Sequence, residues 1–214
     1  MEGGEGAGKS TQAATLARRL ESFGIDVVLT REPGGSPGAE IVRHVVLSGA
    51  AKSLGPVAEA VLFAAARGDH VENLIKPALG RGEWVICDRF LDSTRVYQGI
   101  LGEAGRPFVK GLEKLTVGDA MPDITFILDL PAEIGLARAR ERLGGDTPDR
   151  FEREDLAFHQ KLNAAFRQIA AEEPQRCVLI DANRGKDQVA ADIWAQVKKR
   201  LAPELASLPA EELL

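Results

Sequence analysis

The stretch that decides the fold is MEGGEGAGKSTQ, residues 1–12, in which Gly3, Gly8, Lys9 and Ser10 complete the pattern G-x-x-x-x-G-K-[ST]. Glycines at this spacing let the backbone turn its N–H groups toward phosphate oxygens, and the helix that follows adds its positive N-terminal end. Lys9 is expected to reach the β and γ phosphates of a nucleotide, and the Ser10 hydroxyl to ligate Mg²⁺. The alternative, a glycine-rich turn without a ligand, is disfavoured because an amphipathic helix pattern follows the loop.

The strand that normally precedes such a loop lies at the centre of its sheet, yet only Met1 and Glu2 come before Gly3. Two residues cannot fill a central strand. We therefore expect the first strand to be truncated here, with several more apolar residues before Met1 in the native chain. The intact mass of the native protein tests this expectation.

Beyond the loop, short apolar segments alternate with helical patterns, which is typical of a parallel sheet covered on both faces. The strand segments are Asp26–Thr30, Glu83–Asp88, Ile124–Leu130 and Cys177–Asp181. The helical segments are 10–23, 40–47, 56–79, 93–98, 107–116, 132–143, 153–171 and 187–201. With the strand before the loop, the sequence predicts a three-layer α/β P-loop fold, a five-stranded parallel sheet in a single domain over residues 1–214.

Composition sets limits on the class of protein. The chain has 214 residues, of which 44% are hydrophobic and 28% charged, with a formal net charge of −5. This charge argues against a general nucleic-acid binder, because backbone binding depends on clustered Lys and Arg. No apolar run or leader pattern indicates a membrane span or secretion. Cys87 and Cys177 lie in apolar segments and are interpreted as buried reduced thiols, consistent with a cytoplasmic location.

Three strand segments end in an aspartate: Asp88, Asp129 and Asp181. A phosphate-loop enzyme needs a carboxylate near its magnesium ion, and parallel sheets bind ligands at the carboxyl ends of their strands. Asp88 is the favoured candidate, because Arg89 follows it and supplies a cation for an acceptor phosphate. For Asp129 and Asp181 the favoured interpretation is that each caps the following segment.

Two further segments suggest a second ligand beside the nucleotide. REPGG (Arg31–Gly35) follows a strand, and its Pro and paired glycines suit either a plain turn or close approach of a ligand. Phe63 and Arg67 share one helix face, where a ring can stack on a flat base and a guanidinium can bond its edge. Taken alone, a core Phe beside a solvated Arg is the commoner arrangement.

The segment ARARERLGGDTPDRFERED (Ala137–Asp155) carries arginines on both sides of a glycine pair. Interleaved acids are typical of a solvated helix pair. The alternative is a lid at about 140–155 that closes over the nucleotide and supplies arginines to the charge on the transferred phosphoryl group. The phosphate loop has no Arg of its own, which favours the lid.

Taken together, EGGEGAGKSTQ, TREPGG, VLFAAAR, DRFLDSTRVYQG and DRFERED resemble, in order and spacing, the thymidylate kinases of the bacterial type. The resemblance covers nearly the whole chain. It implies transfer of the ATP γ-phosphoryl group to dTMP, giving dTDP, with Mg²⁺ as cofactor and a homodimer to which the alanine-rich stretch Val57–Ala66 could contribute. The alternatives are a kinase for another nucleoside monophosphate and a nucleotide-dependent switch module.

The resemblance also implies roles for individual residues. The ATP-binding loop comprises Gly3, Gly4, Glu5, Gly6, Ala7, Gly8, Lys9, Ser10 and Thr11. The dTMP-binding residues are Glu32, Pro33, Arg43, Phe63, Arg67, Arg89, Thr94, Tyr97 and Gln98, with Phe63 stacked on thymine, Arg67 at its O4 and Tyr97 beside the deoxyribose. The catalytic residues are Lys9, Asp88, Arg89, Arg142 and Arg150. Ser10 and Asp88 would ligate the metal.

Overall fold

The computed structural model describes residues 1–144, 151 and 153–201. The strands are β1 (Glu2–Gly3), β2 (Val27–Arg31), β3 (Trp84–Asp88), β4 (Thr125–Asp129) and β5 (Cys177–Asp181). The α-helices within these residues are α1 (Lys9–Ser22), α2 (Pro37–Ser48), α3 (Pro56–His70), α4 (Lys76–Gly80), α5 (Leu91–Thr94), α6 (Arg106–Thr116), α7 (Ala132–Leu143), α8 (Leu156–Glu172) and α9 (Lys186–Arg200). The predicted strands are confirmed to within one residue, and so are the helices predicted over 10–23, 107–116, 132–143 and 187–201.

The strands pair in parallel, in the order β1-β4-β5 and, separately, β2-β3. The two groups are joined at Met1, whose N-terminal ammonium donates to the Cys87 carbonyl and whose carbonyl accepts from the Arg89 N–H, both at 2.8 Å. These two bonds continue the sheet from β3 through Met1 to β4. A parallel sheet is thus confirmed, but it consists of two ladders joined at the carboxyl ends, because β1 spans only two residues.

Helices cover both faces of the sheet. Alternate residues of β4 point to opposite sides: Phe126 and Leu128 pack with helices α1 and α9, whereas Ile127 packs with α8. In a third apolar cluster, Phe90 and Leu91, which follow β3, pack with Val71 and Ile75, which follow α3. Because β4 is buried on both sides, its uninterrupted apolar sequence is the pattern that a central parallel strand requires.

Four helical predictions, those for 40–47, 56–79, 93–98 and 153–171, needed correction in detail. The helix expected over 56–79 is interrupted by a π-helical turn (Val71–Ile75) between α3 and α4, and a second π-helical turn (Arg95–Ile100) continues α5. The helix expected at 40 begins at Pro37, because proline fits the first turn of a helix. The helix expected from 153 begins at Leu156, where the Asp155 carboxylate caps it by accepting from the Phe158 N–H at 2.8 Å.

Both cysteines are free thiols, as predicted, and Cys177 is buried while Cys87 is only half-buried. Burial raises the pKa of Cys177 to about 12 and the pKa of Cys87 well above its usual range. Separately, among the described helices none has both the length and the apolar composition needed to span a membrane.

Candidate active site

A cavity of about 350 Å³ opens at the carboxyl ends of the strands. This size is within the range of small-ligand sites. Its wall is formed by Glu5, Gly6, Gly8, Lys9, Ser10, Thr11, Arg31, Glu32, Pro33, Arg43, Leu47, Phe63, Arg67, Asp88, Arg89, Phe90, Ser93, Thr94, Tyr97, Gln98, Arg142 and Phe151. The fold therefore brings the phosphate loop and the proposed acceptor residues to one cavity, although they are up to about 90 positions apart in sequence.

The phosphate loop is compact because its glycines approach neighbouring backbone. Gly3 has φ 131°, and a Cβ there would collide with the Leu128 carbonyl. A Cβ on Gly6 would likewise collide with the Gly135 carbonyl, and one on Gly135 with the Glu5 carbonyl. Gly135 lies in the first turn of α7, so the loop and that helix meet backbone to backbone. Of the predicted loop, Gly3, Gly4 and Ala7 lie behind the cavity wall rather than on it.

Lys9 is buried at the start of α1, and its ammonium donates to the Gly4 carbonyl at 2.7 Å. This bond curls the side chain back over the loop. Burial, and to a smaller extent the neighbouring Arg89, lowers the pKa of Lys9 to about 8. An ammonium group has three donors, so two remain for phosphate oxygens at the cavity.

Ser10 and Asp88 meet across the cavity floor, where the Ser10 hydroxyl donates to Asp88 Oδ2. Asp88 Oδ1 is buried, and within the described residues it has no hydrogen-bond partner. A hydroxyl and a carboxylate beside a phosphate loop are hard oxygen ligands of the kind that Mg²⁺ prefers. The unpaired carboxylate oxygen therefore fits a magnesium ion held between these two residues and a nucleotide.

Arg89 follows Asp88 with a left-handed backbone, φ 64°, which is strained for a residue with a side chain. Its guanidinium forms an ion pair with Glu5, donates to Ser93 Oγ at 3.3 Å, and lies 5.6 Å from the Tyr97 ring centre. Burial disfavours its charge, but Tyr97 and Glu5 outweigh this and raise the pKa of Arg89 above its usual value. The cation is thus held at the cavity and stays charged.

Glu5 is the acidic partner in this loop. Burial raises the pKa of its carboxyl, but the positive charges of Arg89 and Lys9 outweigh burial, and the pKa falls to about 2. Tyr97 also donates to Glu5 Oε1 at 3.4 Å. Glu5 thus faces Arg89 and Tyr97 at the cavity wall, and its role as an ATP contact stays a prediction.

Arg67 is held by a buried network. Its Nε donates to Glu32 Oε2 at 2.8 Å, and Nη2 donates to Thr94 Oγ1 at 3.0 Å. The other Glu32 oxygen lies 3.0 Å from His70 Nδ1, while His70 Nε2 lies 2.8 Å from Thr30 Oγ1. A carboxylate only accepts, so Nδ1 carries a proton and donates to Glu32. This leaves Nη1 of Arg67, which no hydrogen bond within the described residues engages.

The part of the cavity wall around Arg67, called the base-side wall below, is completed by aromatic side chains and one side-chain amide. Phe63, on the same face of α3 as Arg67, lies 6.3 Å from Phe151 between ring centres, and Tyr97 lies 5.0 Å from Phe151 with its ring edge-on. Gln98 is 5% exposed and donates through Nε2 to Glu59 Oε1 at 3.2 Å. An aromatic face, a guanidinium and an amide together suit a planar base with polar edge atoms.

The remaining predicted residues differ in whether they line the cavity. Arg43, on α2, donates to the Pro33 carbonyl at 2.5 Å and lines the cavity. Arg142, near the end of α7, also lines it and lowers the pKa of Glu5. Arg150 lies outside the described residues. Asp129 pairs with Arg167 at 2.9 Å and does not line the cavity. The prediction that it caps the following helix is wrong, because the N-cap of α7 is Pro131 and α7 has no side-chain cap.

Several residues that shape the site were missed in the sequence. Glu2 is buried and accepts from the Phe90 N–H at 2.7 Å and the Ser93 N–H at 3.0 Å, which holds the turn after β3. Burial raises the pKa of this carboxyl. His70 and Glu59 do not line the cavity but hydrogen-bond to Glu32 and Gln98, which do. A signal existed in each case, since a charged or imidazole group in an apolar segment predicts a buried partner, but the partners are 30 or more positions away.

Comparisons with known proteins identify the family of this chain. A family model described as thymidylate kinase matches residues 1–193. The chain is 59% identical over 208 residues to a thymidylate kinase of Bradyrhizobium diazoefficiens, covering 97% of this chain and 91% of that protein. It is 60% identical over 201 residues to a thymidylate kinase of Nitrobacter hamburgensis, covering 94% and 87%.

A solved structure gives the same result for the fold. The crystal structure of thymidylate kinase from Ehrlichia chaffeensis superposes with a TM-score of 0.73 at 32% identity, covering 92% of this chain and 95% of that one. The residues that the family model matches include the phosphate loop and the base-side wall. The chain therefore belongs to the thymidylate kinase family, the enzymes that phosphorylate dTMP to dTDP with ATP.

Proposed function

We propose that the cavity binds ATP at the phosphate loop and dTMP at the Arg67 end, and that the γ-phosphoryl group passes between them. The observation that supports this assignment is the pair of groups at the base-side wall. Arg67 Nη1 offers a donor, and the amide oxygen of Gln98 is the acceptor left when its nitrogen bonds Glu59. Thymine presents the complementary pair, the O4 acceptor beside the N3–H donor, while Phe63 supplies a ring for stacking.

The chemistry that the residues perform is positioning and charge stabilisation. Lys9 donates to the transferred phosphoryl group, and Arg89 holds the acceptor phosphate in line with it. The dTMP phosphate is itself a competent nucleophile near neutral pH, so no strong base is required. Tyr97 packs beside the deoxyribose, where a 2′-hydroxyl would be crowded. Glu32, Pro33, Arg43 and Thr94 complete the acceptor side.

Mg²⁺ fits between Ser10 and Asp88, as the unpaired Oδ1 indicates. When bound, the ion would neutralise charge on the β and γ phosphates. Asp88 and Ser10 orient one another through their hydrogen bond, so the ligand oxygens already face the loop. Titrating the protein with Mg²⁺ and nucleotide, against an Asp88→Asn variant, tests this assignment through the affinity for Mg·ATP relative to metal-free ATP.

We also propose that residues 1–214 form one kinase domain in which the segment at about 140–155 is a lid. Two residues within this segment support the proposal, since Arg142 and Phe151 both line the cavity. Lid closure would exclude water and limit hydrolysis of ATP. Arg142 and Arg150 would then contribute positive charge to the transferred group.

A homodimer is proposed from an apolar surface on two neighbouring helices. Ile41 and Val45 on α2 are 70% and 38% exposed, and Val57 and Val61 on α3 are 50% and 43% exposed. Each pair is spaced i, i+4, so each forms a stripe that a second copy would cover. Light scattering of the protein and of an Ile41→Asp variant tests this, with a dimer expected for the first and a monomer for the second.

We place the protein in the cytoplasm, in keeping with its free thiols, and propose no nucleic-acid partner.

The function is tested by mixing the protein with Mg·ATP and a panel of nucleoside monophosphates and following ADP in a coupled assay. Turnover with dTMP far above dCMP, dAMP and UMP is the expected result. Preference for another acceptor would keep the mechanism and move the specificity. Tight ATP binding with no acceptor-dependent turnover would favour a nucleotide-dependent switch instead.

A further inference from the structure

At the base-side wall, a buried residue that lines the cavity faces a buried residue behind it. Glu59 lies in the first turn of α3 and is 6% exposed; Gln98 lies in the π-helical turn after α5 and is 5% exposed. Gln98 Nε2 donates to Glu59 Oε1 at 3.2 Å. The sequence motifs gave a role to Gln98 but none to Glu59, which does not line the cavity.

The chemistry of this pair fixes which end of the amide faces the ligand. A carboxylate oxygen accepts hydrogen bonds and donates none, so only the NH₂ end of Gln98 can turn toward Glu59. The amide oxygen is then the end that remains for the cavity. If the carboxylate were replaced by a group that also donates, the amide could rotate by 180° and present its NH₂ to the ligand.

Amide orientation matters because the pyrimidines differ at this edge. Thymine and uracil present an acceptor at position 4 and an N–H donor at position 3, whereas cytosine presents an amino donor and a bare nitrogen acceptor. Arg67 offers a donor at position 4 in every case, because Glu32 and Thr94 hold its guanidinium. The group that reads position 3 is Gln98, and it reads an N–H only with its oxygen forward.

We propose that Glu59 is a positioning residue that fixes the Gln98 amide with its oxygen toward the base, and thereby selects pyrimidines with N3–H over cytosine. This inference rests on the proposed dTMP site. Glu59 acts through Gln98 and does not touch the base. Its effect is therefore on base recognition and not on phosphoryl transfer.

The test compares wild type with Glu59→Gln, a near-isosteric change that lets the partner either donate or accept. We measure kcat and KM for dTMP, dUMP and dCMP, and use the inhibition constant of dCMP where its turnover is too slow. The expected result is a rise of about 3–10-fold in KM for dTMP with kcat within about two-fold, since a hydrogen bond to the base is weakened. Discrimination between dTMP and dCMP is expected to fall by about 10-fold, while the dUMP to dTMP ratio stays constant because the 5-methyl contact is untouched.

The ratio of kcat/KM for two substrates on one preparation is independent of the fraction of active protein, so partial misfolding of the variant does not disturb the readout. A matched control is Glu113→Gln, which removes a carboxylate bonded to Arg95 at 2.6 Å and 2.7 Å, away from the cavity. The control is expected to alter stability but not the dTMP to dCMP ratio. An unchanged ratio in Glu59→Gln, or an equal change in the control, would overturn the proposal.

A double-mutant cycle then separates positioning from a general structural effect. If Glu59 acts through Gln98, adding Glu59→Gln to a Gln98→Leu background should leave discrimination unchanged within about two-fold, because the amide that it orients is gone. Additive losses would contradict the proposal. Wild-type turnover with dTMP tests the proposed function independently, so failure of that assay and failure of this inference are distinguishable.

Discussion

The two ends of the cavity are built differently. At the base end, Arg67, Glu32, His70 and Thr30 form one chain of buried hydrogen bonds, and each of these side chains is held by protein groups. At the phosphate end, the Lys9 ammonium donates to the Gly4 carbonyl, and Asp88 keeps a buried oxygen without a partner among the described residues. In the proposed function, the acceptor base therefore meets side chains that other protein groups already hold in place. The phosphates meet groups that can still form further bonds.

This difference indicates how each end contributes. A pre-formed surface discriminates between bases, because a wrong edge leaves buried groups unpaired. Groups with unused capacity bind most strongly when charge develops on the transferred phosphoryl group. We therefore expect substitutions at the phosphate end to act mainly on kcat, and substitutions at the base end to act mainly on KM for dTMP.

The largest effect is expected for Lys9→Met, which keeps the apolar stem and removes the ammonium group. Loss of this donor to the transferred phosphoryl group should lower kcat/KM by about 100–1,000-fold. Steady-state kinetics measures this, with Lys110→Met, on the exposed face of α6, as the control. Near-native turnover of Lys9→Met would remove Lys9 from the mechanism.

Arg67→Lys should act at the other end. Lysine keeps the positive charge but cannot bond Glu32, Thr94 and the base at once, so KM for dTMP should rise by about 10–100-fold with a smaller change in kcat. The matched control is Arg81→Lys, whose ion pair with Glu83 is on the surface. A loss confined to kcat would contradict the division between the two ends.

His70 tests the comparison of the two ends further, because it bonds Glu32 of the base-side wall without lining the cavity. His70→Leu removes the bond between Nδ1 and Glu32 and the bond between Nε2 and Thr30, so Glu32, and with it Arg67, is held less firmly. KM for dTMP should therefore rise by about 3–10-fold. His70→Gln keeps one donor and should recover part of the loss. If both variants lose thermal stability equally but leave KM unchanged, His70 supports the fold alone.

The smallest effect is a pH dependence of the phosphate end. Lys9 binds phosphate as the ammonium form, and burial lowers its pKa to about 8. In the free enzyme, kcat/KM for ATP should therefore fall by about four-fold between pH 7 and 8.5, as the proton is lost. Bound phosphates favour the charged form, so kcat should hold to higher pH. A flat kcat/KM profile up to pH 9.5 would show that Lys9 stays charged throughout.

Much of the fold was predictable because its signals are local. The apolar run of β4 and the glycine pattern before α1 each reflect a neighbourhood of fewer than a dozen residues. The base-side wall was predictable only as a family resemblance, since Phe63 and Arg67 on their own fit an ordinary helix face. The Glu59–Gln98 and Glu32–His70 pairs were not predictable, because 39 and 38 positions separate the partners and only the tertiary fold brings them together.

The backbone contact between Gly6 and Gly135 has a mechanical consequence. Since neither glycine has space for even one added carbon, there is no clearance between the nucleotide-binding loop and the first turn of α7. Arg142 lies seven residues further along that helix, roughly 10 Å from this pivot at the rise of an α-helix. A tilt of about ten degrees at the pivot would carry Arg142 through roughly 2 Å. The helix therefore has the geometry of a lever, with its pivot at the Gly6–Gly135 contact and Arg142 near its far end.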